Sequence, residues 1–224
     1  MIELTDTLKY FTSKEFRDYF ENVKNNIVPS FINRDWYLSS VFLDLANLET
    51  LYYEEQTANL DNKIIRAFAT YLIECKKQLL KKFPERKKII LEIFFCYENR
   101  KYSSVITLAY STAEGVVSSN FGQGLWGGFD KKTQKNLFEK LRDNNQLTGV
   151  MNLFYKRFSH RGEINRDSKE FKVVDTSSNN RHLVLHGHSY NYGNKKNAVK
   201  AILLLDFINE LVFWEKVWKK QNNI

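Results

Sequence analysis

A chain of 224 residues is long enough to bury a sizeable core as one large domain, or as one domain with an extension. Its 43% hydrophobic and 15% aromatic content excludes a disordered tail protein, and two prolines with nine glycines are too few breakers for a turn-rich sheet. The formal charge of +8 creates a field that attracts polyanions, with nucleic acid first among the candidate partners.

Long runs at a 3.6-residue period predict an all-α protein. Residues 1–60 read as an N-terminal helical extension, anchored by Phe11, Phe16, Tyr19 and Phe20 and then by Trp36, Tyr37 and Phe42, with breaks near Pro29 and Asn33. Residues 61–224 read as the main helical domain. Its first helix opens at an Asp61 cap, places Ile64, Ile65, Phe68, Leu72, Leu79 and Leu80 toward the core, and stops at Pro84. Nine basic residues against three glutamates lie between Lys76 and Lys101, which fits a solvated helix face at least as well as a phosphate track.

A second helix runs through IILEIFFCYENRKY, and a third through SSVITLAYSTAEGVVSS. In the third, Val105, Leu108, Ala109, Ala113, Val116 and Val117 have helical spacing, while Ser104, Thr107, Ser111, Glu114 and Ser118 form a polar stripe of the kind that most often faces water. Gly122, Gly124 and Gly127 have GxGxxG spacing, but a helix precedes them where a dinucleotide fold needs a strand, so they read as a connection to an Asp130 cap. Further helical text follows through KKTQKNLFEKLRD and VMNLFYKRF, then a polar loop from Ser159 to Ser178. The last helix, from Asn194 onward, is apolar on nearly all sides at Ala201–Leu205, which predicts that the others pack around it.

Cys75 and Cys96 lie in apolar helical text without a CxxC pair, as buried thiols of a reducing compartment do. No basic-then-apolar leader opens the chain, and Asp206 interrupts the most apolar run. A cytoplasmic protein with no membrane contact is expected.

The segment NNRHLVLHGHSYNYGN, residues 179–194, holds three of the four histidines. Asn179 or Asn180 suits a helix N-cap, and Gly187 suits a left-handed stop. An arginine and a neutral imidazole beside one phosphate suffice to break RNA: the imidazole takes the 2′-hydroxyl proton, and the guanidinium holds the charge gathering on the phosphoryl oxygens. Because His182 and His186 are four residues apart with His188 close by, a metal site is a competing reading, as is a capped junction between helices.

The segment NRHLVLHG, followed by YGNKKNAVKAILLLDFI, resembles the HEPN superfamily of all-helical domains, many of them RNases or toxins, whose pattern is arginine, a polar residue, then histidine. The resemblance covers roughly Ile89 to Lys220. It implies a HEPN-like bundle that dimerises to place two Arg-x4-His segments in one cleft and cuts RNA without metal or cofactor, often in toxin–antitoxin or abortive-infection systems. A partner antitoxin or defence protein would belong to such a system. By the resemblance His186 is the base, Arg181 the phosphate clamp, His182 the orienting neighbour and Glu114 an acidic residue facing the same cleft. Asn180 and Tyr192 are supporting residues, with Tyr190, Tyr192 and Trp126 available for base stacking. Lys195, Lys196 and Lys200 are candidate RNA contacts. Members paired with a nucleotidyltransferase antitoxin carry a modifiable tyrosine two residues after the histidine, where this chain has His188. A non-catalytic RNA- or nucleotide-binding module, or a dimerisation scaffold, is the alternative.

Overall fold

The computed structural model describes Lys14 and residues 28–46, 60–122, 124–125 and 179–221. Helices expected at Phe11–Phe20, after Asp130 and through 150–158 lie outside the described residues, as do Trp126, Gly127, His160 and the polar loop from Ser159 to Ser178.

Among the described residues every regular element is helical: α1 (Val28–Asn33), α2 (Ser40–Ala46), α3 (Leu60–Lys82), a 3₁₀ turn (Pro84–Arg86), α4 (Lys87–Glu98), α5 (Tyr102–Phe121), α6 (Arg181–Leu185) and α7 (Lys195–Gln221). The all-α expectation holds.

In α3 the buried positions Leu60, Ile64, Phe68, Tyr71, Cys75 and Leu79 recur every three or four residues, a single stripe down one face. Ile65, Leu72 and Leu80 flank that stripe, partly buried against the core. Asp61 is not the cap the sequence predicted. It lies inside the first turn, where it accepts hydrogen bonds from Trp36 Nε1 at 2.9 Å and Lys196 Nζ at 3.2 Å. Pro29 sits in the first turn of α1, which ends at Asn33, so the helix boundaries fall near the two residues that the sequence marks as breaks. Pro84 does end α3 and opens the 3₁₀ turn.

Helix α4 stops in a Schellman turn: the Arg100 amide donates to Tyr97 O and the Lys101 amide to Cys96 O, with Arg100 at φ 59°. The chain reverses there into α5, whose Ala109 and Ala113 allow close approach to α7. α7 is the helix around which the others pack, buried without interruption from Ala198 to Ile208.

Residues 31–43 share this core. Phe31, Trp36, Tyr37, Leu38 and Phe42 are fully buried. Ser39 caps α2, accepting the Phe42 amide at 3.2 Å, and donates to Asp206 Oδ2 of α7 at 2.6 Å. Ser40 donates to Glu210 through both its amide and its hydroxyl. Two α7 carboxylates thus meet the positive end of α2.

Candidate functional site

The 179–194 segment forms a short helix framed as its residues dictate. Of the two asparagines, Asn180 is the N-cap: its backbone is extended and its side chain accepts the Leu183 amide at 3.1 Å. His186 is the C-cap residue, and Gly187 follows at φ 75°, a conformation that penalises any side chain. The Gly187 amide returns to Val184 O and the Ser189 amide to Leu183 O, satisfying carbonyls at the helix end. Leu183 and Val184 are buried, which fixes α6 to the body of the protein.

The partner surface is one face of α5, where Thr107, Tyr110 and Glu114 stand at i, i+3 and i+7. Thr107 Oγ1 hydrogen-bonds Tyr192 OH at 3.2 Å, and Tyr110 OH donates to Asn179 O at 3.1 Å. Glu114 acts on Arg181 electrostatically and accepts the Leu125 amide at 3.2 Å. Near the start of α5 a Cβ on residue 193 would overlap the Ser103 hydroxyl, so any other residue there would force that side chain to move. The polar stripe is therefore only partly a water-facing surface: Ser104, Ser111 and Ser118 are exposed, while Thr107 and Glu114 engage the Arg/His segment.

Arg181 is half-buried, and burial lowers its pKa from the ordinary arginine value while the Glu114 charge opposes that shift. It stays a cation throughout the working pH range. His186 is exposed. The His182 and His186 rings lie parallel, tilted by 9°, with centres 5.8 Å apart. Among the described residues no three His, Cys, Asp or Glu side chains gather where they could hold a metal ion.

The three lysines separate. Lys195 and Lys196 are both exposed, and Lys196 pairs with Asp61 at 3.2 Å. Lys200 is only 8% exposed, with its ammonium 5.2 Å from the centre of the Trp36 ring. Of the three lysines expected to meet RNA, Lys195 and Lys196 are therefore on the surface and Lys200 is buried, because one helical turn beyond Lys196 the α7 face enters the core. Tyr190 is 68% exposed, whereas Tyr192 is held by Thr107 and, through its carbonyl, by Asn197.

Sequence reading missed Tyr110 as the residue that ties Asn179 to α5. The available signal was its place between Thr107 and Glu114 on one helical face, hidden because a tyrosine in apolar helical text reads as core. Helices long and apolar enough to cross a membrane are absent among the described residues. In comparison with known proteins, the chain matches no family model, no curated protein and no solved structure.

Proposed function

We propose that this protein is a metal-independent endoribonuclease of the HEPN type, acting as a toxin or antiphage effector in the cytoplasm. His186 removes the 2′-hydroxyl proton, and Arg181 stabilises the charge on the phosphoryl oxygens of the attacked linkage. The proton passes from oxygen to imidazole, the 2′-oxygen bonds to phosphorus, and the 5′-oxygen leaves, giving a 2′,3′-cyclic phosphate end. His182 orients the pair, Asn180 holds the turn that carries them, and Lys195 and Lys196 meet flanking phosphates. Tyr190 offers a stacking face. A homodimer brings two such segments to one cleft.

The observation that carries this reading is the framed turn: Asn180 and Gly187 delimit a short helix that opens at Arg181, the His182 and His186 rings lie 5.8 Å apart with His186 exposed, and the Glu114 charge acts on Arg181. Purified protein incubated with total RNA in EDTA should cut it. Arg181→Ala and His186→Ala should each slow cleavage by roughly 100-fold or more. Undiminished cleavage by both variants overturns the assignment.

A second reading rests on Glu114 acting on a half-buried Arg181, an arrangement that also suits a structural arginine. A non-catalytic RNA- or nucleotide-binding module or dimerisation scaffold would show RNA binding in wild type and both variants, with no cutting in any.

A further inference from the structure

The second half of α3, the middle of α7 and the start of α2 line a half-open cavity of about 500 Å³ that shares no residue with the Arg/His segment. Its depth and its mouth differ in chemistry. In the depth, Asp206 is 1% exposed and both of its hydrogen bonds, from Ser39 Oγ at 2.6 Å and Tyr71 OH at 3.0 Å, fall on Oδ2. Glu210 holds Ser40. Asn209 Oδ1 is buried and receives no hydrogen bond. A buried carbonyl without a donor has lost its water and gained nothing in return, so this end of the cavity calls for an N–H or O–H.

At the mouth stand cations and carbon. Lys81 is exposed, and Lys82 is part-exposed with its ammonium 5.0 Å from the centre of the Phe213 ring. Burial and the like charge of Lys216 both lower the Lys82 pKa, as expected where positive charges crowd without a counter-ion. Among the described residues neither Lys81 nor Lys82 has a carboxylate partner. Val41 and Phe213, 43% and 47% exposed, supply apolar walls.

We propose that this cavity binds a small aromatic molecule bearing one hydrogen-bond donor and one anionic group. The donor points inward to Asn209, the ring lies against Val41 and Phe213, and the anion rests between Lys81 and Lys82. The orientation follows from sign, because Asp206 and Glu210 repel an anion from the depth while the lysines attract it at the rim. A purely apolar ligand would leave Asn209 unsatisfied. The site stands independently of the ribonuclease reading, since none of its residues serves that chemistry.

The test uses 6-hydroxynaphthalene-2-sulfonate, whose O–H and sulfonate lie at opposite ends of one aromatic ring system, titrated into the protein by fluorescence. Saturable binding of one probe per chain is expected. Val41→Trp, which fills the mouth, and the double variant Lys81→Met/Lys82→Met should each weaken it by about tenfold or more. Asn209→Leu should weaken it while leaving naphthalene-2-sulfonate, which lacks the O–H, nearly unchanged. Lys77→Met removes a charge outside the cavity and should have no effect, and circular dichroism confirms that each variant is folded. Non-saturable binding, binding indifferent to Val41→Trp and to the lysine pair, or an equal loss in Lys77→Met overturns the proposal.

Discussion

Arg100 occupies a backbone position made for glycine. It is the left-handed residue of the Schellman turn that ends α4, at φ 59°, and its side chain is exposed. A Cβ in that conformation is strained by about 1–2 kcal/mol, partly offset in a glycine variant by the extra freedom of the unfolded chain. Arg100→Gly should therefore raise stability by about 1 kcal/mol in urea unfolding; a lower midpoint would mean that the arginine side chain contributes more than its backbone costs. At this scale the sequence was legible wherever a residue acts on its immediate neighbours. Gly187 and the asparagine cap were readable because their partners lie within six residues. Asp206 was legible only as an interruption of an apolar run, because the hydroxyls that hold it, Ser39 and Tyr71, are 167 and 135 positions away.

Among the elements, α6 is too short to persist alone, since five residues form barely more than a nucleus. Its caps and the two buried side chains Leu183 and Val184 sustain it. Asn180→Ala should destabilise this turn by about 1 kcal/mol, seen as faster hydrogen exchange at the Leu183 amide with the α7 amides unchanged. Uniform acceleration would place the asparagine in the global unfolding unit instead. The neighbouring start of α7 yields a second expectation. If the protein binds RNA through this end, Lys195→Glu with Lys196→Glu should weaken binding to all sequences and flatten the slope of log affinity against log salt by about one per lysine. Lys200→Met, made behind Trp36, should leave that slope intact. Equal slopes in wild type and the double variant would remove α7 from the interface. Helical periodicity showed that α7 is central, but it marked Lys200 as polar surface, because periodicity does not reveal which turn of a helix meets an aromatic ring from another element.

For the whole molecule, a half-exposed carboxyl and a buried one give opposite dependences on pH. Burial pushes Asp61 up, but hydrogen bonds from Trp36 and Lys196 and the charges of Lys196 and Lys200 leave it below its ordinary 3.8. Its contribution to stability is present above that value and lost as pH falls further. Asp206 behaves in the reverse sense. Burial raises it, Ser39 and Tyr71 lower it, Glu210 on the same helix raises it again, and the net result is about 6. Cys75 of α3 also feels its charge. A folded-state pKa above the unfolded 3.8 means that the protonated form favours folding. That contribution is complete below about pH 4 and lost as pH rises through 6, on the order of 3 kcal/mol in all. Asp206→Asn removes the titration while its amide oxygen can still accept from both Ser39 and Tyr71. Relative to wild type, the variant should gain stability steadily from pH 4 to pH 6.5 and hold a constant advantage above pH 7, measured by urea unfolding across that range. Because both proteins carry Asp61 and otherwise the same surface charge, the difference isolates the α2–α7 contact. A pH-independent difference would mean that the Asp206 carboxyl is hydrated through the cavity it lines, and that the Ser39 and Tyr71 hydroxyls hold a charge rather than a proton.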